Sequence, residues 1–294
     1  MAEAILRKAA HLPPGEVPLK VYRIDNHHAS PAFHSHEFGE LVIITHGQAI
    51  HQVESRRYRI RQGDVFVILE GTRHAYRTPE ALGLINLLFD GAALGLPEAD
   101  LRMLPGYQAL FEIEPRVRQR HHSRNRLRLS ALQLEELLAP VALLEHELQV
   151  QSPGYHFAAL GRWMEIVLYL SRAYGHQPLT GAAPEIGGLS RVLGYMESHL
   201  ATPQSIESLA ALAGMSPASF FRAFGEVLGC PPIQHLTRLR IDRAKRLLCN
   251  PQARISDISG AVGFEDSNYF ARQFRRFTGM SPRRWREFAT SGRS

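Results

Sequence analysis

Two histidines and a glutamate near the amino terminus have the types and spacing of a metal site or a polar pocket. His34, His36 and Glu40 lie in the stretch HSHEFGELVIITHG, and His74 and Tyr76 lie in GDVFVILEGTRHAY. Three imidazoles and one carboxylate suit a divalent transition metal. The same groups can instead bind the hydroxyls of a small molecule while Tyr76 packs on its apolar face. In a third interpretation some of the histidines lie at the rim of the barrel and bind nothing. The residue types alone do not decide between these three interpretations.

Two arginines in the last hundred residues form a second set of candidate functional residues. A repeat in the sequence identifies them. The segments IESLAALAGMSPASFFRAFGEVLGCPP and ISDISGAVGFEDSNYFARQFRRFTGMSP align at phenylalanine, arginine and glycine positions. Each copy reads as a short apolar helix, a turn with glycine and a second helix, which is the plan of a helix-turn-helix. Phenylalanines four residues apart share one face of each second helix, so we expect them in the core. Arg222 and Arg272 point away from that face.

In a helix-turn-helix the second helix enters the major groove of DNA, where its early residues meet the base edges. Arginine can hold guanine through two parallel hydrogen bonds, and Asn268 can read adenine. Helix capping or a phosphate contact is an equal alternative for Asn268, and core packing is one for Phe221. The predicted DNA-binding residues are Ala218, Phe221, Arg222, Ser267, Asn268, Ala271 and Arg272.

The elements that must position these residues differ along the chain. Residues 20–90 read as short runs of β-branched or alternating character between glycines, which predicts a small antiparallel barrel or sandwich. Ser130 and Gln133 have capping-box spacing, so a helix should begin at Ala131, and a second helix is predicted over 156–174. These helices could cover the barrel or form a dimer contact. A glycine- and proline-rich stretch then predicts a linker.

Charge and composition narrow the class of protein. Residues 188–294 carry 15 Lys+Arg and 8 Asp+Glu, whereas residues 1–187 carry 19 and 20. A basic part beside a near-neutral one favours a polyanionic partner, although a merely solvated surface explains the charge equally well. The sequence has no apolar run of about 20 residues and no secretory signal, which favours a cytoplasmic protein without a membrane part. Cys230 and Cys249 are expected to be reduced.

The repeat also carries a family resemblance. With RLRIDRAKRLL between its halves and GFEDSNYFARQFRRFTGMSPRRWR at its end, it resembles the DNA-binding domain of the AraC/XylS transcription regulators over residues 188–288. The resemblance implies that one monomer places both recognition helices in successive major grooves. It also implies an activator that recruits RNA polymerase.

The amino-terminal part resembles a cupin barrel. The positions that match the two cupin motifs are His34, His36, Glu40, Gly47, Gly63, Gly71 and His74. Leu69 and Thr78 depart from the second motif, where proline and asparagine are usual. The two segments also look similar to those of rhamnose-operon regulators, which implies a sugar as the bound molecule.

Together these features predict a multidomain fold, with an N-terminal all-β cupin barrel and a helical pair followed by a C-terminal all-α double helix-turn-helix domain. The predicted ranges are 15–125 for the ligand-sensing barrel, 126–176 for a helical dimerisation region, 177–187 for a linker and 188–294 for the DNA-binding domain. We expect a dimeric, non-enzymatic activator that binds promoter DNA and a small-molecule effector. The alternative is a metal-dependent cupin enzyme or metal-containing sensor with a divalent transition metal held by His34, His36, Glu40 and His74.

Overall fold

The computed structural model describes residues 4–27, 33–96, 99–120, 126–176 and 183–291. The chain divides into two compact units, Met1–Ser190 and Arg191–Ser294, called here the amino-terminal and the carboxy-terminal unit. Residues 177–182 of the predicted linker lie outside the described part. The rest of the predicted linker, residues 183–187, is helical, because a helix begins at Ala183.

One eight-stranded sheet forms the described core of the amino-terminal unit. Its strands are β1 (Ala4–Leu6), β2 (Leu19–Ile24), β3 (His34–His36), β4 (Gly39–Val53), β5 (Arg56–Arg61), β6 (Asp64–Ile68), β7 (His74–Phe89) and β8 (Leu127–Arg128). Their order is β1-β3-β7-β4-β6-β8, with β2 paired to β7 and β5 paired to β4. The pairs are antiparallel except β1 with β3, which is parallel. The predicted β-rich fold is confirmed, with a parallel pair that the sequence pattern did not indicate.

The pairing of the long central strands β4 and β7 is irregular, and a motif glycine lies within the irregular stretch. The register between them is irregular from Ile44 to Ile50. Gly47 has a φ of +71°, and a Cβ atom there would lie 2.0 Å from the carbonyl oxygen of Ala81. Only glycine fits this close approach of two backbones. Thr78 has a φ of +44°, a conformation that asparagine adopts more readily, which accounts for the asparagine that is usual there.

Helices also form part of the amino-terminal unit. They are α1 (Lys8–His11), α2 (Gly91–Leu94), α3 (Ala99–Arg102), α4 (Pro105–Tyr107), a π-helix (Gln108–Ile113), α5 (Glu114–Arg120), α6 (Ala131–Val150) and α7 (Tyr155–His176). Of these, α5, α6, α7 and the π-helix contact strands of the sheet. α6 begins at Ala131 with Ser130 and Gln133 forming the predicted capping box. Its stripe of Leu134, Leu137, Val141 and Leu144 is buried, and α6 packs against α7 and β2. This stripe therefore fills the interior of the unit. The helices between residues 91 and 120 were not predicted.

The remaining helices confirm the predicted repeat of two helix-turn-helix motifs. They are α8 (Ala183–Ser198), α9 (Ile206–Ala213), α10 (Pro217–Leu228), α11 (Pro232–Leu248), α12 (Ile255–Ala261), α13 (Ser267–Thr278) and α14 (Pro282–Ser291). α9 packs on α10 and α12 packs on α13, with α11 between the two motifs in sequence. The phenylalanine pairs are fully buried, as predicted: Phe220, Phe224, Phe270 and Phe274. None of the described helices is long and apolar enough to cross a membrane.

Candidate ligand pocket and nucleic-acid interface

Three strands bring the predicted pocket residues together. His36 ends β3, Glu40 lies at the start of β4, and His74 begins β7. β7 pairs with both β3 and β4, so side chains that are far apart in sequence meet where the three strands adjoin. All three side chains are buried.

His36, Glu40 and His74 form a close cluster, called here the histidine–glutamate cluster. The Glu40 Oε2 atom lies 3.3 Å from His36 Nε2 and 3.6 Å from His74 Nε2. The three candidate donor atoms all lie within 4.8 Å of one another. His34 is not part of this group of three. Its ring centroid lies 4.1 Å from that of His74, at the wall of the adjoining cavity.

Backbone carbonyls fix which ring nitrogens of the cluster carry hydrogen. His36 Nδ1 lies 2.6 Å from the carbonyl oxygen of Phe38, and His74 Nδ1 lies 3.3 Å from that of Thr72. A carbonyl only accepts, so both Nδ1 atoms donate, and in a neutral ring Nε2 then presents a lone pair. Two such lone pairs and a carboxylate oxygen converge on one point. This arrangement calls for a positive species between them, either a proton or a metal ion.

Burial and the neighbouring charges together set the protonation of His34, Glu40 and His74. Burial is the largest influence on His74 and lowers its pKa to about 4, although Glu40 opposes the shift. Burial also lowers the pKa of His34. Burial by itself would raise the pKa of Glu40, but the facing histidines outweigh it and the pKa is lowered. At neutral pH His34 and His74 are therefore neutral and Glu40 is ionised; for His74 and Glu40 these are the forms that can bind a metal ion.

A cavity of about 270 Å³ adjoins the cluster. His34, Glu40, His74 and Tyr76 line it, together with residues that sequence reasoning missed: Leu6, His11, Tyr22, Ile24, His27, Phe38, Asn86 and Leu88. Several polar atoms are buried here without a hydrogen bond of normal geometry to a described residue, among them Glu40 Oε2, His74 Nε2, Tyr76 Oη and Asn86 Oδ1. Buried polar atoms without partners are costly, so they mark a place for a ligand or ordered water.

His51 is a further buried histidine that the sequence did not single out. It is fully buried on β4 opposite Tyr76 of β7, and its ring stacks on the Tyr76 ring at a centroid distance of 5.0 Å. The His51 ring also stacks on the ring of Phe66, at a centroid distance of 4.9 Å. Burial lowers the pKa of His51 well below its ordinary value. The alternation of β4 places His51 on the face of Ala49 and Val53, and this alternation is the signal that could have found it.

In the first helix-turn-helix, α10 separates a buried face from an exposed one. Phe220 and Phe224 are buried, whereas Ala218, Phe221 and Arg222 are exposed. Phe221 has 49% of its surface exposed, so the alternative of core packing is wrong for this residue. Among the described residues Arg222 has no hydrogen-bond or ion-pair partner.

α13 repeats this division with one difference. Ser267, Asn268 and Arg272 are exposed, but Ala271 is half-buried. Asp266 caps the helix by accepting a hydrogen bond of 2.7 Å from the backbone of Asn268, so the capping alternative for Asn268 is wrong. Tyr269, which sequence reasoning missed, is exposed, and the Arg272 guanidinium lies 5.7 Å from the centroid of its ring.

Comparison with protein-family models finds two matches. Residues 18–155 match an AraC-like ligand binding domain, and residues 209–287 match a helix-turn-helix domain. The first match contains the whole histidine–glutamate cluster. The second contains α10 and α13.

Individual proteins are also similar to this chain. The HTH-type transcriptional activator RhaR of Cronobacter sakazakii (strain ATCC BAA-894) is 31% identical over 257 residues, which cover 87% of each chain. RhaR of Escherichia coli (strain K12) is 30% identical over 258 residues, covering 87% of this chain and 86% of that protein. Among solved structures, the DNA-binding domain of AdpA in complex with a target DNA is 32% identical, covering 36% of this chain and 96% of that chain with a TM-score of 0.35.

Proposed function

Because this chain belongs to the AraC family of transcriptional regulators, we propose that it is a ligand-responsive activator that reads promoter DNA with α10 and α13. The observation that carries the proposal is the matched exposure of Arg222 and Arg272 on two helices whose opposite faces are buried. In a helix-turn-helix the exposed face of the second helix is the one that meets the major groove. We infer that the protein acts in the cytoplasm, where promoter DNA lies, and that it recruits RNA polymerase.

The DNA-binding residues proposed are Ala218, Phe221, Arg222, Ser267, Asn268, Ala271 and Arg272. The arginines read guanine and Asn268 reads adenine. Ala271 contributes least, because it is half-buried. Phe221, with its exposed ring, contacts a thymine methyl group.

Specific binding can be tested without knowing the promoter. The wild-type protein selects its site from random DNA, and Arg222→Ala and Arg272→Ala are then measured on that site and on versions with one base pair changed. Each variant should lose about 1 to 3 kcal/mol of discrimination, or about 5- to 150-fold, at one position of the site. Arg254→Ala, an exposed arginine outside both recognition helices, is the matched control and should keep the same base preference. Unchanged base preference in both test variants would refute the assigned faces.

The effector proposed is a small polyhydroxylated molecule, in the first place a sugar, bound in the 270 Å³ cavity. Sugar hydroxyls both donate and accept, so they can satisfy the unpartnered atoms of Glu40, His74, Tyr76 and Asn86. The ligand-binding residues proposed are His34, His36, Glu40, His74 and Tyr76. His36 does not line the cavity and acts by orienting Glu40, whose Oε2 atom lies 3.3 Å from His36 Nε2.

Thermal unfolding against a panel of sugars tests this part of the proposal. A ligand at 100 times its dissociation constant should stabilise the protein by about 2.7 kcal/mol. Asn86→Leu, which removes one unpartnered polar atom from the cavity wall, should abolish the response, whereas Asn268→Leu on the DNA face should retain it. A sugar that stabilises both variants equally is not bound in this cavity.

A second candidate is a sensor that contains a divalent transition metal. The convergence of His36 Nε2, His74 Nε2 and Glu40 Oε2 favours it, because the other nitrogen of each ring donates to a backbone carbonyl, as metal-bound histidines commonly do. His36, Glu40 and His74 would hold the ion, which would polarise a ligand oxygen in the cavity. His34 would complete the set only by rotating away from its present place. We propose no enzymatic reaction for the cluster, since the relatives above are regulators.

Metal content of the purified protein separates the two candidates. Stoichiometric zinc, iron, nickel or manganese in the wild type, lost in His36→Ala and retained in His51→Ala, would establish the metal form. If the purified protein contains no metal and still binds a sugar, the metal-free candidate is supported and the metal-containing one is refuted.

We also propose a homodimer formed through α6. Leu132, Leu143 and Val150 are 65%, 47% and 55% exposed, and their spacings of 11 and 7 residues place them on one face of the helix. A second copy packed there would cover this apolar stripe. Leu143→Lys should give a monomer in analytical ultracentrifugation, whereas Gln149→Lys, an exposed polar position on the same helix, should not. A monomeric wild type would refute the dimer.

A further inference from the structure

Three arginines form an exposed row on β5. Arg57, Arg59 and Arg61 are exposed, and they alternate with Tyr58 and Ile60, which are buried. Since successive side chains of a strand point to opposite faces, the three guanidinium groups lie on one outer face of the sheet. Among the described strands β5 pairs only with β4, so it lies at an edge. We call these residues the arginine row.

Within the described part of the chain, no acidic side chain pairs with the arginine row. Among the described residues, the side chains of Arg57, Arg59 and Arg61 make no hydrogen bond or ion pair. Their cross-strand neighbours on β4 are uncharged: Gln52, Ile50 and Gln48. On β7, the next strand across the sheet, Glu80 lies opposite Gln48 and Arg77 lies opposite Ile50. Their charges are opposite, so the two residues together add no net charge.

Most of the other cations that the structure describes in the amino-terminal unit have acidic partners. Arg23 pairs with Glu145 and Arg162 pairs with Glu165. Lys20 and Arg172 are exposed without a partner in the described part of the chain, but they lie on different elements, β2 and α7. Residues 1–187 carry no net positive charge, so an uncompensated row is a local feature and not a result of composition.

The spacing of the row fits a regular polyanion. Two residues of an extended strand advance about 6.6 to 6.8 Å. Successive phosphates of one DNA strand rise about 3.4 Å and also turn about the helix axis, which separates them by roughly 6 to 7 Å. The planar guanidinium fork also matches phosphate oxygens in two parallel hydrogen bonds. An acidic protein surface would offer negative charge but not this regular spacing of negative groups.

We propose that the arginine row binds the phosphate backbone of double-stranded DNA beside the sequence-specific site. The inference rests on the proposed function, because a promoter held by α10 and α13 is tethered to the same chain and thus reaches the row at high effective concentration. The contact adds affinity and salt dependence but reads no sequence. It makes the amino-terminal unit a second DNA-binding surface.

Salt dependence of binding by the full-length protein tests the proposal. Arg57→Ala/Arg61→Ala is compared with Lys20→Ala/Arg172→Ala, which removes the same charge from elsewhere in the unit. The DNA is the selected site alone, or the same site with about 20 further base pairs on each side. Loss of two phosphate contacts should lower the slope of log K against log salt by about 1.8, so the weakening should be about 12-fold greater at 50 mM than at 200 mM salt. We expect this on the longer fragment and a smaller effect on the short one.

The outcomes are distinct. An unchanged slope on the longer fragment, or an equal change in the control, overturns the proposal. Unchanged DNA binding with reduced activation in a reconstituted transcription reaction overturns it in favour of an acidic protein partner. Self-association of the row variant with unchanged DNA binding overturns it in favour of edge protection, for which charged residues also serve. Arg272→Ala on the same fragments reports separately on the proposed function, because it should alter base preference and leave the contribution of the row in place.

Discussion

Replacing Phe270 by alanine should strongly destabilise the carboxy-terminal unit. Phe270 is 0% exposed, and its ring lies 5.3 Å from that of Phe264 and 5.6 Å from that of Phe274. Truncating a fully buried phenylalanine costs about 3 to 5 kcal/mol, from lost burial and from the cavity that remains. A unit of this size is stable by only about 5 to 15 kcal/mol. The substitution should therefore remove a large share of its stability.

Urea unfolding followed by tryptophan fluorescence measures this loss in the full-length chain. The chain has two tryptophans; Trp163 lies on α7, and Trp285 packs against the cluster that contains Phe270. With Trp163→Phe as the background, Trp285 reports on the carboxy-terminal unit alone. For a loss of about 4 kcal/mol and a slope of about 2 kcal/mol per molar urea, the midpoint should fall by about 2 M.

Tyr269→Ala is the matched control, since it truncates the adjacent ring on the exposed face of the same helix. Tyr269 is 44% exposed, so its loss should shift the midpoint by well under 1 M. Equal midpoints for Phe270→Ala and the background, or a larger shift for Tyr269→Ala, would refute the division of α13 into a buried and an exposed face.

Three further predictions follow from particular residues. Burial raises the pKa of Glu114 to about 7, although Arg118 opposes the shift; the unfolded chain then ionises first, and stability should fall by about 3 kcal/mol between pH 4.5 and pH 7. Glu114→Gln should remove this dependence in urea titrations, and parallel pH profiles would contradict it. Gly47→Ala should lower the thermal midpoint, because its Cβ would lie 2.0 Å from Ala81 O, whereas Gly91→Ala meets nothing within 4 Å and should not. Ser130→Ala should cost about 1 kcal/mol in chemical denaturation by removing the α6 cap, and the exposed Ser152→Ala should cost less; equal values would disprove the role of the capping box.

Several features could be predicted from sequence because they depend on neighbours along the chain. The start of α6 depends on Ser130 and Gln133, three residues apart. The burial of Phe270 and Phe274 depends on helical spacing, and the repeat shows it twice. The helices between residues 91 and 120 could not be predicted in this way, because they are short and include a π-helical turn, so no long hydrophobic period marks them.

The sequence by itself determined the order of a β-rich unit and a double helix-turn-helix unit, and the residue types available to each. Only the tertiary structure decided which residues meet. β7 lies between β3 and β4 and so joins His36, Glu40 and His74 while leaving His34 at the cavity wall. The same pairing buries His51 against Tyr76 and places the carbonyls that orient the histidine rings. The physical reason is that local patterns follow from spacing along the chain, whereas convergence of side chains depends on strand pairing between distant segments.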